Sequence, residues 1–477
     1  MSGFSDYDQF DGLGLAELVA KREVSAEELL EEAISRTEKV NGEINAVVHK
    51  HYDEAKSAIA NGLPEGPFTG VPFLLKDLHL LLTGTITTYG SAFFKDNQAD
   101  HDSTLVSRYK KAGLVIFGKT NTPEFGAVPV TEPRLFGATR NPWDLTRTPG
   151  GSSGGASASV ASGILPMANA SDGGGSIRIP ASCAGLVGLK PTRGRTPAGP
   201  DRGEGWAGQS ISHAVTLTVR DSAALLDATT GSEPGDPYHA PHQNSSFLEC
   251  VTQAPKKLRI AVASEKWGEG DYQPEVSDAL QETVNLLQQL GHQVEEAAPD
   301  YDREAVGMAA GVIITANTAL AVRLRSEQLG REVTDQDIEP LTQALIAAAK
   351  GFSAEDYSKA VLANQQAGRA LGKFHEDYDI ILSPTLSREP VPIGFIMDAS
   401  EEEFGLKISQ FMADTALFNQ TGQPSISLPL CWSQNNLPLG MMFTAAFGND
   451  GLLLSLAGQL EKAQPWWDKR PPVHASN

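Results

Sequence analysis

Apolar positions along the chain follow two rhythms, a helical period and short continuous blocks, and the alternation between them predicts the element order. Ser25 with Glu28 three residues later forms a capping box, opening a helix whose apolar face carries Leu29, Leu30, Ala33 and Ile34. Residues 45–48 and 71–75 read as strands. The second is apolar throughout, so it is expected to be buried on both faces and to place Lys76 at its exit. A helix over 103–111, a stop at Gly113 and an apolar strand over 114–117 continue the alternation. The same unit recurs as a strand over 258–262, a helix over 276–290, Gly291 and a strand from His292. Residues 303–375 are predominantly helical, and 379–384 and 424–429 read as strands leading into turns. Strand and helix in succession predict an α/β fold.

Length adds a competing expectation, since 477 residues suggest about two to four domains. The stretches 197–208 and 231–255 are rich in Gly, Pro, Ser and Asn and are read as surface excursions of one mixed domain. The net charge of −21 repels a phosphate backbone and an anionic membrane surface, so the partner expected is a small molecule, with no nucleic acid and no membrane. The start of the chain is acidic and lacks the basic and apolar segments of a leader, and no apolar run reads as membrane-spanning. Cys183, Cys250 and Cys431 are too few and too widely spaced for a disulfide framework or a thiolate metal site. A reducing, cytoplasmic setting is expected.

Several short motifs fail on context. Gly113 to Thr120 matches the phosphate-binding loop letter for letter, yet its centre is bulky and apolar and fits a strand. Gly203, Gly205 and Gly208 have dinucleotide-fingerprint spacing without a preceding strand. Ser107 and Lys110 have the spacing of penicillin-recognising enzymes but fall on the charged face of the 103–111 helix. His239 and His242 lie in a Pro-rich loop with no ligand partner at metal spacing.

The densest chemistry lies between Pro149 and Pro180, where Ser152 and Ser176 each occupy a glycine-rich bend. Glycines such as Gly173, Gly174 and Gly175 allow successive N–H groups to converge on one point, which suits an oxyanion. A serine nucleophile also needs a base, and Lys76 is the best candidate. A rival reading takes 150–154 as the Gly-x-Ser-x-Gly elbow of α/β-hydrolases, but a polar loop precedes it where a strand is required.

Lys76, the Gly-Gly-Ser-Ser-Gly-Gly run at 150–155, the Asp-Gly-Gly-Gly-Ser-Ile-Arg-Ile-Pro run at 172–180 and Gly-Leu-Lys-Pro-Thr at 188–192 together resemble the amidase signature family. The likeness continues through 118–124 and 139–143 to 418–429. It implies one α/β domain over 1–477 with a mixed central sheet sandwiched between helices, which overrides the length expectation. Within it would lie an N-terminal helical segment of about 1–45, a signature core of about 65–230 and a variable helical pocket region of about 303–415. The resemblance implies that Ser176 is the nucleophile, Ser152 a relay entered through a cis peptide, and Lys76 the base. It also implies that N–H groups of Gly173, Gly174, Gly175 and Ser176 hold the oxyanion, without metal or organic cofactor. Ser153, Asp172 and Arg178 would support this network. Many members carry a side chain such as Thr where this chain has Gly173, so a more mobile oxyanion loop is expected.

The segments 330–339 and 456–466 are most similar to those of 6-aminohexanoate cyclic dimer hydrolases and related stand-alone amidases. The substrate expected is a small linear or cyclic amide, acted on by a monomer or homodimer. Phe125, Ala127, Val128, Ile314, Ala316 and Asn317 are candidate wall residues, each equally able to serve the core. Carbamate or ester cleavage, a glutaminase subunit of a tRNA-dependent amidotransferase, and a binding protein without catalysis are the alternatives.

Overall fold

Strands β1 (Val47–Lys50), β2 (Pro72–Lys76) and β3 (Val115–Thr120) form a three-stranded unit in the order β1-β3-β2, with β2 and β3 parallel. Every residue of β2 and β3 is buried, the apolar ones as strands between helices should be, and Lys76, Lys119 and Thr120 with them. The computed structural model describes residues 4, 6–268 and 270–477. The reading of the chain start as lacking a leader therefore falls partly outside the described residues.

The remaining strands are β4 (Met167–Asp172), β5 (Val187–Lys190), β6 (Ile211–Thr216), β7 (Arg259–Val262), β8 (Gln293–Glu296), β9 (Ile380–Pro384), β10 (Ser425–Trp432) and β11 (Pro438–Ala445). They pair in the order β4-β6-β5-β10-β11-β9-β7-β8, antiparallel from β4 to β9 and parallel among β9, β7 and β8. β2 runs alongside β4 without a ladder, joined to it by the Lys76 N–H donating to Asn169 Oδ1 at 3.1 Å. The two units thus meet at a seam. Lys76 ends one side of it and Asp172 the other.

Helices cover both faces, which makes the α/β sandwich expected. Pro274–Gln289 and Asp450–Ala463 pack an apolar cluster against β5, β7, β9, β10 and β11, while Ala26–Ile44 and Gly154–Ala161 pack a second against β3 and β4. The Ser25 capping box forms as expected, with both reciprocal bonds present.

Two expectations need correction. The helix Arg303–Leu329 is long and apolar enough to cross a membrane by length and composition, with mean hydropathy 1.8 over its most apolar window. Its small residues, interspersed with Thr and Gly, conceal this in the bare sequence. Val306, Ala309, Ile313 and Val322 are buried, and the helix packs against Pro340–Ala349 and Ala354–Phe374. The second correction concerns 197–208, which is a loop but no remote excursion, because Trp206 lies directly on Gly173.

Candidate active site

β2 stays apolar until its last residue, and that pattern carries Lys76 into the interior with no exposed surface. Its Nζ lies 2.7 Å from Ser152 Oγ and 3.1 Å from Ser171 Oγ. Loss of hydration disfavours the ammonium form and lowers the Lys76 pKa to about 7, with the Asp172 carboxylate partly opposing the shift. No carboxylate reaches ion-pair distance of Lys76 among the described residues. A neutral amine is therefore accessible near pH 7.

The bend that delivers Ser152 comes out of an irregular segment and runs into the helix Gly154–Ala161, and the Gly151–Ser152 peptide is cis. No strand precedes it, so the hydrolase-elbow reading lacks its framework. Ser153 clips this bend to the end of β4: its Oγ accepts from the Ser171 N–H and donates to the Ser171 carbonyl, both at 3.3 Å.

Asp172 organises the second bend from behind. Its carboxylate accepts from the N–H groups of Gly175 at 2.7 Å and Ile177 at 3.0 Å, and it pairs with the Arg178 guanidinium through Nε at 3.0 Å and Nη2 at 2.9 Å. Burial alone would raise the Asp172 pKa, but Arg178 reverses the sign and holds it well below the usual carboxylate range. Asn419 closes the brace, donating to Asp172 and accepting from Arg178 Nη2 at 2.6 Å. Asp172 and Arg178 have no exposed surface, so they shape the bend and do not line an opening. Asp172→Asn leaves a buried guanidinium short of its counter-charge and is expected to cost about 3–5 kcal/mol of stability, read by denaturant unfolding.

This brace corrects the oxyanion assignment at one position. The Gly175 N–H is committed to Asp172 Oδ1 and is not free to receive an oxyanion. The N–H groups of Gly173, Gly174 and Ser176 donate to no acceptor among the described residues. Gly175 has φ +131, a conformation that disfavours side chains, and a Cβ there would meet Thr415 Oγ1 at 2.5 Å. Thr415 in turn donates to the Gly174 carbonyl at 2.7 Å. Ser176 follows, half-buried, its hydroxyl in no hydrogen bond among the described residues.

Gly173 lies under an aromatic ring. A Cβ at this position would lie 2.7 Å from the Trp206 ring, so the indole occupies the space that a side chain would need. Trp206 is half-buried and packs beside Ala309 and Ile313 of Arg303–Leu329. The ring thereby presses the bend from outside while Asp172 holds it from within. Ser171, Trp206 and Thr415 escape a sequence reading because their partners are distant in sequence or undistinguished in type. The one available signal was an aromatic residue inside the glycine-rich 203–208 loop.

Among the candidate wall residues, Phe125 is buried with Phe93 and Phe94, and Val128 is buried against Ile179 and Cys183. Ala127 is half-buried. Ile314, Ala316 and Asn317 are half-buried on Arg303–Leu329, where Asn317 donates to the Ile313 carbonyl of its own helix. None of these six hydrogen-bonds to the serine and lysine cluster among the described residues. Lys119, in the phosphate-loop match, lies on strand β3 and donates to the Ile86 carbonyl and Thr87 Oγ1, so that match is structural.

Comparison with known proteins gives a consistent set of relatives. The sequence profile of the Amidase family matches residues 28–454. The chain is 38% identical to the 6-aminohexanoate-cyclic-dimer hydrolase of Paenarthrobacter ureafaciens, over 97% of this chain and 96% of the relative. A solved structure of 6-aminohexanoate cyclic dimer hydrolase with its substrate superposes with a TM-score of 0.93 at 37% identity, covering 98% of this chain and 99% of the other. A bacterial aryl acylamidase of the amidase signature enzymes superposes with a TM-score of 0.86 at 28% identity, covering 96% of each chain.

Proposed function

The chain belongs to the amidase signature family, an enzyme acting on non-peptide amide C–N bonds, and from that premise we propose that it hydrolyses small linear or cyclic amides through an acyl-enzyme on Ser176. The observation that carries the reading is the fully buried Lys76 amine, its pKa near 7, 2.7 Å from Ser152 Oγ. With Lys76 neutral, Ser152 donates its proton to Nζ and accepts one from Ser176 as substrate docks. Ser176 Oγ then bonds to the amide carbon, and the oxyanion takes the N–H groups of Gly173, Gly174 and Ser176. Collapse breaks the C–N bond while Lys76 returns the proton through Ser152 to the leaving nitrogen. Water attacks the ester by the same relay and frees the acid.

Ser171 is a positioning residue in this scheme, holding one Nζ–H while the amine lone pair faces Ser152. Ser171→Ala is expected to lower kcat about tenfold, the worth of one neutral hydrogen bond, and to leave KM nearly unchanged. Steady-state kinetics separate the two. The likeness to 6-aminohexanoate cyclic dimer hydrolases and to an aryl acylamidase favours a hydrolase of small amides, and 6-aminohexanoate oligomers and anilides are the first substrates to try. The test is turnover by the purified chain on these amides, carbamates and glutamine. Release of acid and amine from the amides supports the proposal. Cleavage of glutamine alone contradicts it.

A further inference from the structure

On the loop that carries Trp206, four residues before it, stands a guanidinium that Asp201 favours electrostatically without pairing with it. Arg202 is half-buried, and its one hydrogen bond among the described residues runs from Nη1 to His79 Nδ1 at 3.3 Å. It forms no ion pair there, although the chain has 59 acidic residues to 38 Lys and Arg. Two carboxylates nearby, Asp201 and Asp77, are otherwise engaged. Asp201 is exposed and bonded to His101 Nε2 at 3.1 Å, while Asp77 is held by Thr88 and lies 3.4 Å from His49. Glu204 faces Tyr238 and Arg193, with its buried Oε2 bonded to nothing among the described residues. The other guanidinium nitrogens of Arg202 are neither hydrogen-bonded nor sealed from solvent. These open nitrogens are available to a ligand, and the planar fork of donors suits a carboxylate.

The residue's place in the fold ties it to the reaction. His79 lies three residues beyond Lys76, and its ring meets Tyr89 edge-on with centroids 5.2 Å apart. The Tyr89 carbonyl accepts from the Phe125 N–H, and at the next residue, Gly126, a Cβ would lie 3.0 Å from Ser152 Oγ. On its other side Arg202 leads through Gly205 to Trp206, which lies on Gly173. Arg202 thus bridges the loop that follows the base and the loop that covers the oxyanion bend. Burial holds His79 well below the usual imidazole range, with Arg202 and Lys76 adding to the effect, so its Nδ1 is free to accept from Arg202.

Resting on the amidase reading, we propose that Arg202, oriented by His79, is a specificity residue that binds a carboxylate carried by the amide substrate. The substrate class is then an amide of a dicarboxylic acid or of an amino acid, with a free carboxylate at a distance from the scissile bond. A bidentate bond from the guanidinium would orient such a substrate and favour it over an uncharged analogue of equal length.

The test measures kcat/KM for matched pairs of amides. One series sets succinic, adipic and suberic half-anilides against alkanoyl anilides of the same length. The other sets N-acyl ω-amino acids against the corresponding N-acyl alkylamines. The wild-type enzyme is expected to prefer the charged member of at least one pair by about tenfold or more, chiefly through KM. Arg202→Gln brings that ratio to about one, and Arg202→Lys falls between because it keeps the charge and loses the fork. Absence of a preference in every wild-type pair overturns the proposal, as does a ratio that Arg202→Gln leaves unchanged. If none of the amides is cleaved, the amidase reading fails separately, and calorimetric titration with adipate decides this one. Binding that Arg202→Gln abolishes supports it; equal binding, or none, overturns it.

Discussion

Ser176→Ala is expected to lower amide turnover by at least about ten-thousandfold while the protein keeps its fold and stability. The size of the effect follows from what the hydroxyl does in the proposed sequence. Without it no acyl-enzyme forms, and the remaining N–H groups of Gly173, Gly174 and Ser176 have no tetrahedral centre to stabilise. The mildness for folding follows from the structure. Ser176 is half-buried and its hydroxyl bonds to nothing among the described residues, so alanine leaves no buried partner unsatisfied. Residual turnover is read against a blank, and thermal unfolding of both proteins checks that only chemistry has changed.

Lys76→Met is expected to lower kcat roughly 10²–10⁴-fold, because the general base and the proton for the leaving amine are lost together. The wild-type pH profile carries the same information. Only the neutral amine accepts a proton from Ser152, so kcat/KM should rise with pH through about 7, where Lys76 titrates, and then level off. The variant should lose that limb. Stability offers an independent check with a definite sign. The folded Lys76 pKa is depressed to about 7 from the ordinary lysine value of 10.5, so between these values the unfolded chain holds a proton that the folded chain lacks. The burial penalty is therefore full below about pH 7 and is relieved as pH rises toward the unfolded value. The stability of the wild type relative to Lys76→Met should increase across that window.

How much of this site was legible in the sequence depended on the range of the interactions. β2 announces itself because a strand buried on both faces must be apolar throughout, and its end at Lys76 follows. β4 does not. Its Ala, Asn, Ser and Asp residues carry no strand signature, and it is a strand because β6 pairs with it along its whole length. With β4 unread, the seam between β2 and β4 was hidden, and so was Ser171 at its end. The glycine runs spoke for tight bends but not for what fills them. Asp172 captures the Gly175 N–H and Trp206 supplies the bulk missing at Gly173, and both facts depend on contacts made in three dimensions. The polar loop before Ser152 was readable, and it rightly removed the strand-borne nucleophile elbow.

The central claim is that Ser176, and not Ser152, forms the covalent bond to substrate. Its most direct test is intact-mass and peptide mapping after reaction with an aryl sulfonyl fluoride or a fluorophosphonate at pH 8 and above, where Lys76 is largely neutral. One adduct per chain on Ser176, absent from Ser176→Ala and much slower to form in Lys76→Met, is the result predicted. An adduct on Ser152, or labelling of Ser176→Ala at the wild-type rate, would contradict it.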